Sequence, residues 1–480
     1  MNRPACALVA LIALAGCTAG PDYQWPAPPP AAQLTRETLA ATAAAPGPQG
    51  AAQHFDPAAS IAREWWTAFG SPQLNALVEQ AFRHNPDVEA AAAALRAARQ
   101  DLAAQRSALL PSAQLGYSAA RQQDAVGTLS PALTSGAPQY TLHTAQLSVG
   151  FAPDVFGLGR RTTESLAAQA QAQRDRLDAV YLTLAANVVA TAVQEASLRA
   201  QIDAASAAIA ASEQALQLLR VQARAGYASG LDIATQESAL AAARMALPPL
   251  RKQLEQTRDA LAALLGQTPD EANIARLDLA TLTLPATLPR ATPSQIIARR
   301  PDVRAAEAQV HAASAQVGIA VANRLPQFSI DASYGGSSEK FARLLADHNV
   351  FWAVAGSATA PIFDFGALKH KQKSAEAALD QAAAQYRGVA LAAFQNVADA
   401  LYALAADADA LAAAADAEAS ARKTLELTRK QLAAGGVNAL ALCSAEQAHQ
   451  QASAALIQAR AARLADTAAL FQALGGSWPD

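Results

Sequence analysis

The sequence of 480 residues contains few of the side chains that catalytic and metal sites use. It has three cysteines, two methionines, seven histidines and only 5% aromatic residues. The histidines lack the spacing of a His-Glu-x-x-His helix, and we find no Cys-x-x-Cys pair, phosphate-binding loop or nucleophile elbow. We therefore expect neither an enzyme nor a bound cofactor. Two methionines do not support a methionine-lined metal relay.

Charge is scarce as well. Charged residues make up 16% of the chain, the formal net charge is −3, and basic residues form only short clusters. The chain thus lacks the electrostatic signature of a nucleic-acid-binding protein. Alanine dominates instead, with interspersed Gln, Arg, Asp and Glu, a composition typical of long, closely packed helices.

The sequence is internally duplicated. An Asp-Val pair follows Pro86 and also Pro301, and this offset (301 − 86 = 215) recurs where Leu-Pro ends each alanine-rich run (326 − 111 = 215). Later matches, such as Gly226 with Gly435, have a smaller offset (435 − 226 = 209). The two copies therefore differ in length by six (215 − 209), and the change lies between positions 111 and 157. Two copies of one supersecondary unit are predicted.

The N-terminus has the features of a bacterial export signal. Arg3 is followed by an apolar stretch over residues 7–15, and small residues precede Cys17. This pattern resembles a lipobox, which predicts a signal at 1–16 and an acylated Cys17; an ordinary signal with an incidental cysteine is the alternative. Thr18, where an Asp would favour retention at the inner membrane, favours delivery to the outer membrane.

Removal of the signal would leave Cys443 as the one free thiol, so no internal disulfide is expected. After the signal we find no apolar run as long as a transmembrane helix needs, which predicts that any membrane crossing uses strands. The proline-rich stretch 21–48 is typical of an extended tether.

Each copy begins with a predicted helix. Asn85 is a good N-cap, Pro86 suits the first helical turn, and Asp87 complements the helix dipole. The second copy has Arg300 in place of the cap. Prolines at 111 and 326 end the two helices.

Beyond these prolines the apolar period changes to two, over residues 113–119, 145–151, 327–334 and 350–360. About nine or ten residues with this alternation are typical of transmembrane β-strands, although a soluble hairpin with one buried face gives the same pattern. Residues 122–138 and 335–349 are predicted loops.

Two very long helices follow, over 162–225 and 369–434, the second interrupted only by Gly388. Such a helix would extend for roughly 95 Å. Glycine-bearing turns at 226–230 and 435–438 then lead into returning helices, the first interrupted at Pro248 and Pro249.

Four strands cannot form a closed barrel, since the smallest have about eight strands. Lipid does not tolerate open strand edges, so several chains would have to pool their strands. This reasoning does not give the number of chains.

The segment Glu64–Leu74 (EWWTAFGSPQL), the two Pro-Asp-Val helix starts, the paired glycines and Leu474–Trp478 (LGGSW) resemble the outer-membrane factor family, with TolC- and OprM-like lipidated efflux proteins as its nearest members. The resemblance covers essentially the whole mature chain. It implies a homotrimer with a twelve-stranded barrel, twelve helices forming a periplasmic tunnel, and contacts with outer-membrane lipid. It also implies two protein partners, a periplasmic adaptor and an inner-membrane pump, typically of the resistance-nodulation-division type.

The family also implies roles for the helix turns, whose glycines dock on the adaptor while nearby side chains constrict the aperture. The positions that match are, as adaptor contacts, Gly226, Ser229, Gly435, Gly436 and Asn438, and, as an aperture acid, Asp232. We predict that apolar packing of Leu440 and Leu442 closes the aperture together with Asp232. Plain helix-capping glycines are the alternative. The second turn lacks the acids common in the family, so a second aspartate ring is not expected.

Two charged groups remain. Arg160 and Arg161 align with Lys369 and His370, where cations oppose the helix dipole, so lipid headgroups, the lumen or a solvated face would have to favour them. The acids Asp407, Asp409, Asp416 and Glu418 are interpreted as a solvated helix face.

The predicted segments are a signal at 1–16, an anchor and tether at 17–60, repeats at 61–270 and 296–480, and a connection at 271–295. The fold class is mainly α with transmembrane β. The predicted function is the exit duct of a tripartite efflux system. A duct for type I protein secretion and a periplasmic coiled-coil scaffold without a pore are the alternatives, and an exported enzyme is the least favoured.

Overall fold

The structure, a computed structural model, describes residues 18–31, 33–36, 39–59, 61–123, 139–271 and 274–476. The predicted signal, Cys17 and Trp478 lie outside these residues. The helices are α1 (Pro72–His84), α2 (Pro86–Ala108), α3 (Leu158–Arg224), α4 (Gly230–Leu264), α5 (Pro293–Arg299), α6 (Pro301–Ala322), α7 (Ala367–Ala433) and α8 (Ala439–Ala473). The strands are β1 (His54–Asp56), β2 (Ser112–Gln123), β3 (Gln139–Phe151), β4 (Thr287–Pro289), β5 (Gln327–Ser338) and β6 (Val350–Thr359).

The duplication is visible in the elements. The long helices α3 and α7 have 67 residues each, the returning helices α4 and α8 have 35 each, and β2 and β5 have 12 each. The starts of β2 and β5 are offset by 215 (327 − 112), whereas the starts of α3 and α7 are offset by 209 (367 − 158). The difference of six therefore falls between the first strand and the long helix, as the sequence predicted.

The chain divides into two compact units, each built from both copies of the repeat. The first includes residues 95–173 and 306–386 with the start of the described chain, and it contains the larger sheet. The second includes residues 174–305 and 387–476 with the described part of 27–94, and it contains α4, α8 and the small parallel pair β1–β4.

The larger sheet is antiparallel, with the order β2-β3-β5-β6. Its register places Leu115, Leu147, Tyr334 and Trp352 side by side across all four strands. All four of these side chains are exposed. Because successive side chains point to opposite faces, the other face carries the intervening residues, which are mostly Gln, Ser, Gly and Ala. The sheet thus has one apolar face and one largely polar face.

The aromatic residues of the Glu64–Leu74 segment form part of the core of the second unit. Trp65 and Phe69 lie in a short 3-10 helix and are almost fully buried. The Trp65 ring stacks on Phe471 of α8, with ring centroids 5.4 Å apart. Burial of such rings contributes a large share of core stability, which gives this part of the family-like segment a packing role.

The long helices correct one expectation about composition. Helix α3 contains an 18-residue window with a mean hydropathy of 1.3, of which 44% is buried within the chain. The corresponding window of α7 has a mean hydropathy of 1.4 and is 39% buried. The prediction that no apolar stretch of membrane-spanning length follows the signal was therefore wrong. Alanine produces this hydropathy without bulk, and core helices pass the same test.

Two predicted helix interruptions are absent, and one predicted loop is shorter than expected. Helix α4 continues through Pro248 and Pro249, and α7 continues through Gly388. The prolines lie on an exposed part of α4, where water can satisfy the carbonyls that lose their helical partners. Residues 335–338, predicted as loop, extend β5, because Gly335 and Gly336 pair with Phe351 and Val350.

The acidic patch is not uniformly solvated. Asp407 on α7 is half-buried and lies beside Asp466 on α8. Burial and this neighbour raise the pKa of Asp407 to about 7, while Arg463 acts in the opposite direction. Because burial and the neighbouring carboxylate both disfavour the charged form, Asp407 binds its proton more tightly than an ordinary aspartate does.

We predict that Asp407→Asn flattens the dependence of stability on pH. The native pKa of Asp407, about 7, exceeds its ordinary value of 3.8. Protonation of Asp407 therefore stabilises the fold fully below pH 3.8, and this stabilisation is lost as pH rises through 7. Thermal unfolding followed by circular dichroism should give the variant a Tm ~1–3 °C above wild type at pH 8. Asp409→Asn, at an exposed neighbour, is the control, and parallel pH profiles for Asp407→Asn and wild type would contradict the prediction.

Candidate functional site

The two helix turns end α3 and α7 in the same way. Gly226 and Gly435 have φ angles of +80° and +75°, a left-handed conformation that favours glycine. In both turns the next residue's N–H donates to a carbonyl five residues earlier, at 2.8 Å. This is a Schellman ending, so both glycines are helix caps. A Cβ at either position would meet no atom within 4 Å, which leaves the turns open for a contact with another molecule.

The returning helices begin with different caps. In the first turn, the Ser229 hydroxyl accepts from the N–H of Asp232 at 3.2 Å, and the Ser229 N–H donates back to the Asp232 carboxylate at 2.9 Å. In the second turn, Asn438 accepts from the N–H of Ala441 at 3.1 Å. The reciprocal capping box of the first turn has no counterpart in the second, because Ala441 replaces the acid.

Asp232 is an exposed carboxylate that is held in its charged form. The Ser229 hydroxyl donates to it at 2.7 Å, and the backbone N–H groups of Ser229 and Ala439 also favour the anion. These hydrogen bonds, that of the hydroxyl first, lower the pKa of Asp232 below its ordinary value. Because Ala439 begins α8, the charge of the first turn is stabilised partly by the second.

The apolar residues of the turns divide into exposed and buried groups. Tyr227, Leu231 and Leu440 are exposed by 86%, 76% and 60%. Leu231 and Leu440 occupy equivalent places in the two copies (440 − 231 = 209), and neither Leu231 nor Tyr227 was singled out from the sequence. The predicted aperture residue Leu442 is only 2% exposed and packs in a cluster with Leu425. It therefore supports the turn from inside.

Matched ion pairs join the two helices of each hairpin. Arg220 contacts Glu237 at 2.7 Å, and Arg429 contacts Glu446 at 3.4 Å. Both partners are shifted by the offset of the duplication (429 − 220 = 446 − 237 = 209), so sequence reasoning could have revealed these pairs but missed them. Because both arginines are about half exposed, each pair contributes little to stability and mainly fixes the register of the two helices.

Between the hairpins lies a buried polar group, Gln236 on α4. Its amide donates to the hydroxyl of Ser212 at 2.8 Å and to Glu446 at 3.3 Å, and Cys443 donates to its carbonyl oxygen at 3.1 Å. Gln236 therefore bonds α3 and α8 at once. A buried amide satisfied in this way specifies one packing arrangement of the helices.

The tether is fastened by Arg161, one of the two predicted basic residues. Its side chain, only 4% exposed, donates to Asp22 at 2.8 Å, to Glu164 at 2.8 Å and to the carbonyl of Ala19 at 3.2 Å. These acceptors explain a cation at the start of α3. Arg160 is neutralised by Asp154 at 3.3 Å.

The second basic pair, Lys369 and His370, is exposed, which agrees with a solvated face.

In the other unit, the described residues of the tether meet a second buried arginine. Arg463 of α8 donates to Thr42 at 2.9 Å and to the carbonyls of Gln49 and Ala51 at 3.0 and 2.8 Å. The tether is thus held by side-chain donors of the helices in each unit.

We predict that Arg161→Ala frees the start of the tether. A hydrogen bond to a charged group contributes ~1.5–3 kcal/mol, so chymotrypsin should cut at Tyr23 or Trp25 about tenfold faster in the variant. Mass spectrometry of the early fragments gives the rate. Arg83→Ala, which removes an exposed arginine paired with Glu79 on α1, is the control, and equal rates in the two variants would contradict the role of Arg161.

Comparison with known proteins places these features in a family. The model of the outer membrane efflux protein family matches residues 77–267 and 292–476. The starts of the two matches are offset by 215 (292 − 77) and their ends by 209 (476 − 267), which are the offsets found in the sequence. The family model therefore covers most of the chain and both copies of its repeat.

Individual relatives agree with this match. The pyoverdine export outer membrane protein OpmQ of Pseudomonas putida is 30% identical over 87% of this chain and 88% of its own length. The toluene efflux pump outer membrane protein TtgF of Pseudomonas putida is 30% identical over 97% of this chain and 95% of its own. The solved outer-membrane channel OprN is 27% identical, with a TM-score of 0.85 over 96% of this chain and 100% of that chain.

Proposed function

This chain belongs to the outer membrane efflux protein family, and we propose that it forms, as a homotrimer, the exit duct of a tripartite efflux system. The observation that carries the proposal is the four-stranded sheet, which has an exposed apolar face and two free edges. The resemblance to outer-membrane factors is confirmed by the family match. No enzymatic activity is proposed.

The edges of the sheet support the trimer. Among the described residues, neither β2 nor β6 pairs with another strand on its outer side. Each unpaired backbone group costs several kcal/mol in hydrocarbon, roughly the loss of a full hydrogen bond. If the apolar face contacts lipid, both edges must pair with strands of other chains. Three chains of four strands would give the twelve-stranded barrel that the family implies.

The long helices add support for neighbouring subunits. Helix α7 exposes Leu391, Tyr402 and Leu427, and much of its length is accessible in the single chain. Large side chains spaced along one helix are typical of a surface that another helix covers. We propose that α7 packs against a second copy of the chain in the helical tunnel.

The turns are the proposed adaptor contact. Tyr227, Leu231 and Leu440 give them an exposed apolar surface, and the glycine turns beside them are unobstructed. We retain Gly226, Ser229, Gly435, Gly436 and Asn438 as contact residues for a periplasmic adaptor, with an inner-membrane pump of the resistance-nodulation-division type behind it. The proposed aperture uses the charge of Asp232 and the exposed Leu440, with Leu442 supporting Leu440 from the core.

Small molecules are the proposed cargo, because the names of OpmQ and TtgF describe pyoverdine export and toluene efflux. A protein secretion duct remains the alternative with the same architecture. A scaffold without a pore is less well supported, since it would not require a sheet with two unlike faces. We also propose outer-membrane location with an acyl chain on Cys17, to be tested by mass spectrometry of the N-terminal peptide of wild type and Cys17→Ala.

We predict that the protein extracted from outer membranes in mild detergent has three times the mass of one chain. Pairing of the free strand edges is the physical reason. Native mass spectrometry measures the assembly, and the same sample heated in sodium dodecyl sulfate supplies the mass of one chain as a control. A folded monomer that keeps its strands would overturn the duct and favour the scaffold.

We predict that Asp232→Asn weakens the block of the channel by multivalent cations in planar bilayers, or raises its conductance. Three copies of this lowered-pKa carboxylate stay charged at neutral pH and would attract such cations at the aperture. Ser229→Ala is the matched control, because it removes the capping hydroxyl but keeps the charge. Identical block in wild type and Asp232→Asn would remove Asp232 from the aperture.

A further inference from the structure

We propose that Asp331 sets the charge preference of the barrel interior and favours cationic over anionic cargo. This inference rests on the proposed trimeric duct. Asp331 lies in the middle of β5, directly opposite Gly150 of β3 and Ala355 of β6. In the sequence it falls within the alternating segment 327–334.

The register assigns Asp331 to the polar face of the sheet. Its neighbours in the chain, Ile330 and Ala332, belong to the apolar face together with Val149 and Val354. The polar face carries Ser329 and Ser333 two residues away on either side. If the apolar face contacts lipid, the face that carries Asp331 lines the lumen.

Asp331 is also the one charged residue on the polar face of the four described strands. Within the four described strands, the other ionisable side chains that titrate near neutral pH or are permanently charged are Arg121 and His143. Both belong to the apolar face by the alternation of side chains along the strands: Arg121 pairs with Thr141, and His143 lies opposite Ala119. The polar face of the described sheet therefore carries one formal charge per chain, and that charge is negative.

The Ser329 hydroxyl holds the carboxylate in place and is itself bonded to a second hydroxyl. The Ser329 hydroxyl lies 2.8 Å from one carboxylate oxygen of Asp331, and the same hydroxyl lies 2.9 Å from that of Ser357. The other carboxylate oxygen points over Gly150, where even an added Cβ would lie 3.5 Å away. Among the described residues no Lys, Arg or His forms an ion pair with Asp331. The charge is thus oriented, exposed and uncompensated.

Such a charge acts strongly inside a pore. Three symmetry-related carboxylates at one level would face a water-filled lumen whose walls have a low dielectric constant, and this focuses their field on passing ions. Asp331 is four residues from the start of β5, or about 13 Å along the strand. Cationic molecules would be concentrated there, and anionic molecules would meet a barrier.

The experiment is the reversal potential of single channels in a tenfold gradient of potassium chloride. Wild type should prefer potassium over chloride, Asp331→Asn should lower the permeability ratio at least twofold, and Asp331→Lys should shift it further toward chloride. Ser333→Asn, a neutral change on the same face, is the matched control and should leave the ratio unchanged.

The outcomes separate the two proposals. Conducting channels whose permeability ratio is the same in wild type, Asp331→Asn and Asp331→Lys would overturn the role of Asp331 and leave the duct intact. A trimer of wild type that never conducts would overturn the duct and this inference with it. Equal native masses of wild type and Asp331→Asn show that the change in selectivity does not come from a failure to assemble.

Discussion

The hydrogen-bonding groups at the two edges of the larger sheet constrain everything else in this protein. The chain supplies four strands with one apolar face, and hydrocarbon leaves no water to satisfy the free backbone groups of β2 and β6. A single copy leaves both edges of the sheet unpaired. The apolar face can therefore lie in hydrocarbon only if strands of other copies pair with β2 and β6. The exposed aromatic and aliphatic side chains, such as Trp352 and Leu115, show that the described residues of the chain do not cover the face. In the proposed trimer, assembly would therefore be driven by the strands, and the long helices would only have to be compatible with it.

The duplication reproduced the geometry of the turns more faithfully than their chemistry. Both turns keep the left-handed glycine, the Schellman hydrogen bonds and an ion pair between the two helices, because these features fix how one helix reverses into the next. Between them the side chains differ: the first turn has Tyr227 and Asp232, where the second has Gly436 and Ala441. In the proposed trimer, shared backbone geometry with unequal side chains would place the Asp232 carboxylate at every second turn of the ring.

Local patterns in the sequence were sufficient for the elements, and contacts between distant residues account for what they missed. The strands, long helices and turns depend on periodicity and on single glycines or prolines, which can be read within one short segment. In contrast, the continuity of α4 at Pro248 and the burial of Leu442 depend on tertiary packing, because packing decides which side of each helix is covered by other helices. The roles of Arg161 and Asp407 depend on Asp22 and Asp466, which belong to distant parts of the chain. No alternation or spacing rule connects such pairs.

A charged side chain in the interior of a strand identifies the wet side of a sheet independently of the apolar residues on the other side; Arg121, on the opposite face, lies near the end of β2. A carboxylate facing hydrocarbon would be expensive unless it were neutralised, whereas Asp331 is bonded, among the described residues, to the Ser329 hydroxyl and remains exposed. The apolar face and the lone acid therefore give the same assignment from opposite physical effects, desolvation of charge on one side and burial of apolar surface on the other. In the proposed trimer this assignment fixes which residues meet the cargo, so the sidedness of this one sheet would connect the stability of the assembly to what it can transport.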